Sequence, residues 1–431
     1  MKRLILSAAV LTLMCAGHAR ADTVAIVGGK VHTVGPQGTL ERATILIGDG
    51  RVLAVGSDVE VPDGVQTIDA SGKVITPGLY AAMGQFGLGE VELSADPSDS
   101  EQAGEQFTAG FDVADAFNPR ATHIAVNRIE GVTRATIVPK PRFAFMEEST
   151  SHVISGLGAV VHFGDDNNVQ RRKAVLVVSL GAGGSAFAGG SRAAAWLTLR
   201  QALDEARTYI DARDDYERDE FVHSARDLEA LGGVLEGETR LLVRVDRASD
   251  IEVLLGLVRE YDLDAIIAGG SEAWMVADEL AAANVPVVLD PTQNLPGNFD
   301  RINQRRENAV ILNEAGVRIS FVETDSPTHN ARNITQLAGN AVADGMPWDD
   351  ALRAITLTPA EMFGVADSVG SIEPGKMADI VIWPGDPLEL MNYPDAVFIN
   401  GESIPMISRQ TLLRDRYLQD DASKPPAFRT R

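Results

Sequence analysis

The sequence has very little cysteine. Its 431 residues include one Cys and seven His. A single Cys excludes a disulfide framework and a zinc site built from several cysteines. Seven histidines still permit a metal site with imidazole ligands, so the positions of these residues matter more than their number.

Positive charge is also scarce. Lys and Arg number 38 against 61 Asp and Glu, which gives a net charge of -23. Binding to nucleic acid requires clustered Lys and Arg, and we find no such cluster. Beyond the first residues there is no run of the roughly 18 apolar residues that a membrane-spanning helix needs. The hydrophobic content of 45% and charged content of 23% are typical of a globular protein, and the length suits either several domains or one large barrel with an accessory domain.

The first 21 residues have the layout of a secretory signal peptide. Lys2 and Arg3 precede an apolar run over 4–14, and Ala19-Arg20-Ala21 supplies a small-x-small cleavage pattern. Cleavage there would remove the only Cys, which suits an oxidising compartment. We therefore expect a secreted protein, in a bacterial periplasm.

The remaining chain divides into two β-rich end segments and a long middle. Short strands separated by glycines are predicted over 22–73 and again over 366–408, and Gly48-Asp49-Gly50 predicts a hairpin connection. Residues 409–431 form a C-terminal tail.

In the middle segment, 74–365, β-rich runs alternate with helical stretches, which favours a parallel sheet covered by helices. Four consecutive strand–helix units beginning at Leu241 fit half of a (β/α)₈ barrel. The runs 156–163 and 174–180 are separated by too few residues for a helical crossover, so we predict a hairpin. A glycine-rich stretch over 183–191 is predicted to be a mobile loop.

Three stretches resemble the amidohydrolase superfamily, specifically its imidazolonepropionase-like branch. These are Ile75-Thr76-Pro77-Gly78-Leu79, the helix-like Leu357-Thr358-Pro359-Ala360-Glu361-Met362-Phe363-Gly364, and Gly370-Ser371-Ile372-Glu373-Pro374-Gly375-Lys376-Met377-Ala378-Asp379-Ile380-Val381. The resemblance implies an α/β protein with a TIM-like (β/α)₈ barrel of the metal-dependent hydrolase type. It also implies a small composite β-sandwich built from both chain ends, in agreement with the strand pattern.

The same resemblance implies hydrolysis assisted by a divalent metal such as zinc, held by side chains at the carboxyl ends of barrel strands. Most of the ligand positions carry other residues here. Met83 and Gln85 stand where the family has a His-x-His pair, Arg244 and Ala268 where it has two further histidines, and Asp325 supplies the final aspartate. A guanidinium cannot ligate a metal and a thioether is a poor ligand for such a cation. We therefore expect no bound metal.

Two functional hypotheses follow. The nominal activity is hydrolysis of a carbon–nitrogen bond other than a peptide bond in a small amide or cyclic amide, with Asp325 as the catalytic base and Arg244 stabilising an oxyanion. The alternative is a non-catalytic binding or scaffold protein. Arg244 and Asp325 could equally form a plain ion pair across the barrel, and we favour that pairing.

Other polar residues near predicted strand ends are candidates for substrate binding, although capping or structural roles suit them too. These are Glu272, Asp290, Asn294 and His329. The expected partner is a small molecule, with no nucleic acid and no membrane span, and a homo-oligomer is compatible with the sequence.

Overall fold

The computed structural model of the chain describes residues 23–90, 98–102, 107–141, 152–165, 168–211, 221–324 and 326–418. The predicted signal peptide and Asp325 lie outside the described residues. No helix in the described ranges is long and apolar enough to cross a membrane.

The N-terminal segment forms five short strands. The first three are antiparallel, and the tight turn between the second and third contains Asp49 and Gly50, both at positive φ. That backbone matches the twist of a two-residue hairpin, so the hairpin predicted there is confirmed. The strands are β1 (Val24–His32), β2 (Thr39–Gly48), β3 (Arg51–Gly56), β4 (Gln66–Asp69) and β5 (Val74–Pro77).

Eight further strands form a nearly closed barrel in the order β13-β12-β11-β10-β9-β8-β7-β6. The predicted alternation of strands and helices from Leu241 onward is confirmed, since β10 to β13 are mutually parallel and separated by helices. The strands are β6 (Leu79–Gly84), β7 (Val132–Ile137), β8 (Ile154–His162), β9 (Val169–Ser179), β10 (Arg240–Val245), β11 (Ala265–Gly269), β12 (Val287–Leu289) and β13 (Ile319–Phe321).

The barrel differs from the predicted (β/α)₈ arrangement at β8. This strand is antiparallel to both β7 and β9, so seven strands share one direction and one opposes them. The hairpin predicted over 156–163 and 174–180 is therefore present as β8 and β9. The physical reason is the short β8–β9 connection, which permits a hairpin but no helical crossover.

Three C-terminal strands return to the N-terminal ones. They are β14 (Ile380–Trp383), β15 (Ala396–Ile399) and β16 (Glu402–Ser403). Together the chain ends form a single sheet, which we call the composite sheet, in the order β16-β15-β14-β5-β1-β2-β3 with β4 also on β1. A sandwich needs two facing layers, and this pairing does not confirm one. Val74–Pro77 pairs with β1 and β14, so the barrel begins at Leu79 and not at the predicted residue 74.

Helices surround the barrel and bury its outer face. On β10 the side chains alternate: Leu241 and Val243 pack outward against the helices, while Leu242 packs in the barrel interior. The helices are α1 (Thr122–Arg128), α2 (Gly181–Phe187), α3 (Arg192–Asp211), α4 (Ala225–Leu235), α5 (Ala248–Tyr261), α6 (Ala277–Ala282), α7 (Asn308–Glu314), α8 (Ile334–Ala343), α9 (Trp348–Ala354), α10 (Leu357–Met362) and α11 (Arg409–Leu418).

The glycine-rich stretch differs from the predicted mobile loop, because its first half is the helix α2. Gly184 lies within α2, and a Cβ added there would stand 2.1 Å from the carbonyl oxygen of Ser179. The glycine therefore allows the helix to pack directly on the end of β9. Close packing, and not mobility, accounts for this glycine.

Candidate functional site

The amino end of the barrel is filled by apolar side chains. The ring of Phe363, just after α10, stacks on the ring of Tyr80 with centroids 6.0 Å apart. Arg240 donates from Nη1 to the carbonyl of Glu361, and Arg171 donates to the carbonyl of Phe363, so two guanidinium groups cap the end of this helix. Because this end is sealed, the carboxyl ends of the parallel strands form the accessible face, which we call the barrel mouth.

Four of the positions singled out in the sequence lie at the barrel mouth. Met83 and Ala268 belong to the same buried interior cluster, and Ala268 on β11 is in register with Arg244 on β10. Gln85 directly follows β6, and its side chain donates weakly to the carbonyl of Val138 at 3.4 Å. The fifth position, Asp325, lies outside the described residues, so the pairing of Arg244 with Asp325 stays a prediction.

Arg244 is the unusual side chain of the mouth. The residue as a whole keeps partial exposure, yet its Nε and Nη2 are shielded from solvent and have no hydrogen-bond partner in the part of the chain that the structure describes. Burial lowers the pKa of Arg244 to about 10, so the guanidinium remains charged at neutral pH. A buried charge without a partner costs several kcal/mol in principle, and such groups are rare in folded proteins.

Ser179 lies beside Arg244. The two residues are register partners on the parallel strands β9 and β10, and Leu180 donates its N–H to the carbonyl of Arg244 at 2.9 Å. Val177 and Leu242, two positions earlier on each strand, belong to the interior cluster, so alternation places Ser179 and Arg244 on the inner face. The Ser179 Oγ is buried and also has no partner among the described residues.

Beyond Arg244 a polar network ties the strand ends together. Asp246 accepts from the hydroxyl of Ser271 at 2.8 Å and from Nε of Arg301 at 2.9 Å. Gln293, which contacts Arg301, also donates to Thr324. The cavity enclosed by this network is about 10 Å³, which is room for about one water molecule.

Two predicted binding residues lie on the segment that follows β12. Asp290 accepts from the N–H of Thr292 at 2.9 Å and lines the small cavity. It also accepts weakly from the N–H of Thr324 at 3.4 Å, across the gap to the end of β13. Asn294 is exposed on the same segment. The structure thus brings Asp290 to the mouth and leaves Asn294 on the outer surface of the loop.

Glu272 and His329 have internal partners. The Glu272 carboxylate is buried, and it accepts from the N–H of Ala248 at the start of α5 and from the N–H and side chain of Asn303, all within 3.1 Å. This arrangement anchors a helix start and a loop. His329 shares a hydrogen bond of 3.1 Å between its Nε2 and Nη2 of Arg332.

Sequence reasoning missed Ser179, Asp246 and Arg301. The signal available for Ser179 was a polar residue directly after the apolar run Ala174 to Val178. Arg301 had no signal, because it reaches the mouth from a 3₁₀ turn, Phe299–Arg301, that only the fold places opposite β10.

Comparisons with known proteins agree with this architecture. Residues 264–404 match the model of the amidohydrolase family. The chain is 24% identical over 380 residues to an imidazolonepropionase of Acidiphilium cryptum, covering 82% of this chain and 89% of that protein. An amidohydrolase from Thermotoga maritima has a similar structure, with a TM-score of 0.79 and 25% identity over 88% of this chain and 99% of that one.

Other relatives match over only part of their length. The chain is 23% identical over 372 residues to the amidohydrolase tasK of Hapsidospora irregularis, covering 79% of this chain and 37% of that protein. A segment of 164 residues is 42% identical to an imidazolonepropionase of Erwinia tasmaniensis, covering 36% of this chain and 40% of that protein. These two matches therefore span less than half of each relative.

The fold is an α/β barrel of the TIM type, like that of the similar amidohydrolase structure. These matches support the amidohydrolase superfamily, and its imidazolonepropionase-like branch, as the resemblance in the sequence indicated.

That family generally implies a divalent metal, and the residues at this mouth do not fit one. No group of three or more His, Cys, Asp or Glu side chains that could hold a metal occurs in the described ranges. Instead of such a ligand group, Met83, Ala268 and Arg244 present a thioether, a methyl group and a cation. A fixed positive charge at this point repels a divalent cation by simple electrostatics.

Proposed function

We propose that the barrel mouth takes up a small amide or cyclic amide, and that the nominal reaction of the chain is hydrolysis of a carbon–nitrogen bond other than a peptide bond. Similarity to the superfamily supports the reaction class, and the sealed amino end of the barrel supports the choice of the mouth as the site. The reaction consumes one water: a C–O bond forms, the C–N bond breaks, and the amine leaves with a proton.

We further propose that this chain has lost most of the family's metal ligands, at Met83, Gln85, Arg244 and Ala268. The observation that carries this proposal is the buried guanidinium of Arg244, with unpartnered nitrogens, on the inner face of β10. Arg244 cannot ligate a metal, because its guanidinium is positively charged and has no acceptor atom.

The chain's own groups can still supply part of the chemistry. We propose that Arg244 donates hydrogen bonds to the oxygen of a substrate carbonyl, where negative charge develops during hydrolysis. Asp325, four residues beyond β13, is the proposed base that takes a proton from water.

A second candidate is a binding protein without hydrolysis. The side chains at Met83, Ala268 and Arg244 favour it, because none of them can hold the metal on which the family's hydrolysis depends.

The first experiment measures metal content of the purified mature protein by elemental analysis. Our proposal predicts well below one equivalent of zinc, manganese or iron after exchange into metal-free buffer. About one equivalent or more of tightly bound metal would refute the loss of the ligand set.

The second experiment assays a library of small linear and cyclic amides for released amine. Hydrolysis that falls at least ~100-fold in Asp325→Asn supports a catalytic role for that carboxylate. The surface variant Glu41→Gln serves as the matched control, because it removes one carboxylate far from the mouth. Absence of turnover in every amide, with saturable binding of one of them, would favour the binding protein.

We also propose that the protein is exported, on the strength of the signal-like residues 1–21. N-terminal sequencing of the mature protein should begin at Asp22, and cell fractionation should place it outside the cytoplasm. Recovery of an uncleaved N-terminus would contradict this proposal.

A further inference from the structure

The hydrolytic proposal gives Arg244 a role but leaves the buried hydroxyl beside it without one. Arg244 Nε and Nη2 and Ser179 Oγ are buried and have no hydrogen-bond partner in the described ranges. Buried polar groups are almost always paired in native proteins. Three unpaired atoms on neighbouring strand ends therefore indicate that something other than the described residues completes them.

The positions of these atoms form one receptor. Ser179 and Arg244 are register partners on adjacent parallel strands, which lie about 4.8 Å apart. The hydroxyl of Ser155, at the register shift of β8 next to Val178, is a third shielded group without a partner. Adjacent strands β8, β9 and β10 thus present two hydroxyls and a guanidinium at the same end of the barrel.

The chemistry of the receptor selects an anion. A guanidinium has hydrogen-bond donors and no acceptor, and a hydroxyl can donate too. Nε and one Nη of an arginine form the fork that matches the two oxygens of a carboxylate. Because the guanidinium stays charged when buried, a bound anion would also remove its electrostatic cost.

The charge balance favours a carboxylate over a phosphate. One buried cation neutralises one negative charge, whereas a phosphate dianion would leave a second charge against the apolar wall that includes Ala268 and Leu242. The chain's net charge of -23 adds a general repulsion toward multiply charged anions.

We propose that Arg244 and Ser179 form a binding site for the carboxylate group of a small organic acid, in the space where the superfamily would hold its metal. This inference rests on the barrel mouth being the functional site, as proposed above, and does not require hydrolysis. It predicts that the natural ligand carries a carboxylate as well as, or in place of, an amide.

The test compares small carboxylates with their neutral amides on the full mature protein. Acetate, propionate and N-acetylglycine are titrated against acetamide, propionamide and N-acetylglycinamide at constant ionic strength with chloride, and binding is followed by calorimetry and by thermal unfolding. We expect at least one carboxylate to bind at least ~10-fold more tightly than its amide, because only the carboxylate forms charge-assisted hydrogen bonds with the guanidinium. Equal affinity for each acid and its amide would overturn the proposal.

Three variants locate the effect. Arg244→Met should abolish the preference for carboxylates, Arg244→Lys should keep part of it because the charge remains without the fork, and Ser179→Ala should weaken binding by up to ~10-fold. Thermal unfolding without ligand checks that each variant is folded. A preference that survives in folded Arg244→Met would overturn the assignment.

The variant Asp325→Asn separates a free ligand from an internal one. If Asp325 were the resident counter-ion of Arg244, carboxylates would bind only after that substitution, and this outcome would overturn the proposal. Binding of equal strength in the wild type and in Asp325→Asn supports it. Carboxylate binding without any amide hydrolysis would leave this inference standing while the hydrolytic proposal fails.

Discussion

Two inward-facing arginines at opposite ends of the barrel have opposite surroundings. Arg134 on β7 lies near the amino end, and its guanidinium contacts Asp379 at 2.6 Å, Asn400 at 2.6 Å and Gln170. Arg244 on β10 lies at the carboxyl end, and its shielded nitrogens contact no polar group in the described residues. The protein itself supplies hydrogen-bond partners for Arg134, whereas the shielded nitrogens of Arg244 are left for a partner other than the described residues.

The presence or absence of an internal partner distinguishes a buried charge with a structural role from one that can bind a ligand. Asp379 stands just before β14, so its pairing with Arg134 fastens the composite sheet to the barrel. It also accepts the N–H of Asn400 after β15, which connects a second strand of that sheet to the same carboxylate. Because every partner is supplied internally, the amino end needs no ligand, whereas the mouth does.

The largest expected effect comes from breaking the satisfied pair. Arg134→Met should lower the free energy of unfolding by about 3–5 kcal/mol, because it leaves the buried Asp379 carboxylate without its cation. Urea denaturation measures this change. The double variant Arg134→Met with Asp379→Leu should recover part of the loss, and a double variant no more stable than Arg134→Met alone would show that the charge pair is not the cause.

At the mouth we expect the matching substitution to stabilise the protein. Arg244→Met should raise the free energy of unfolding of the ligand-free protein by about 2 kcal/mol, because it removes a buried cation whose burial is reflected in its lowered pKa. Parallel urea denaturation of both methionine variants gives the direct comparison. Destabilisation of Arg244→Met to the extent seen for Arg134→Met would mean that Arg244 has an internal counter-ion after all.

A smaller effect is expected at a buried histidine of the composite sheet. Burial, aided by the charge of Lys30, lowers the pKa of His32, which contacts the Thr39 hydroxyl at 3.0 Å and packs on Trp348. The unfolded chain then binds more protons than the folded one, so stability falls as the pH drops below the ordinary value of 6.5. His32→Gln should flatten that part of the stability curve, as measured by denaturation between pH 5 and pH 7. An unchanged slope would assign the pH dependence to other groups.

The smallest effect is expected for an exposed pair. Lys30 and Glu41 lie 3.1 Å apart with 39% and 79% of their side chains exposed. Because solvent and salt screen such pairs, Glu41→Gln should change the free energy of unfolding by less than about 0.5 kcal/mol. A change above 1 kcal/mol would show that exposure alone does not set the ranking of these charges.

The sequence predicted the elements with strong local signals. The β-rich run that begins at Leu241 and the helical stretch after it predicted β10 and α5, and Gly48-Asp49-Gly50 predicted a hairpin connection. The short link between β8 and β9 predicted their antiparallel pairing, because chain length alone excludes a crossover. Local spacing could not show that the composite sheet is one sheet, or that Val74–Pro77 joins it, since strand partners are chosen by long-range contacts.

The candidate site was predicted in part. The resemblance to the superfamily pointed to Met83, Gln85, Arg244 and Ala268, and the fold brings all four to the mouth. Sequence periodicity could not show that the Glu272 carboxylate accepts hydrogen bonds from Ala248 and Asn303. It also could not show that Arg301 donates to Asp246, because these partners lie on other elements.

By itself the sequence indicated the superfamily, the alternation of strands and helices, and the residue types at the expected ligand positions, because each depends on residue identity and spacing along one chain. Only the tertiary structure decided which charges are satisfied. Arg134 and Arg244 both lie within β-rich runs of the sequence, which form β7 and β10. The fold places a carboxylate from the far end of the chain beside Arg134, and it leaves Nε and Nη2 of Arg244 without a partner among the described residues.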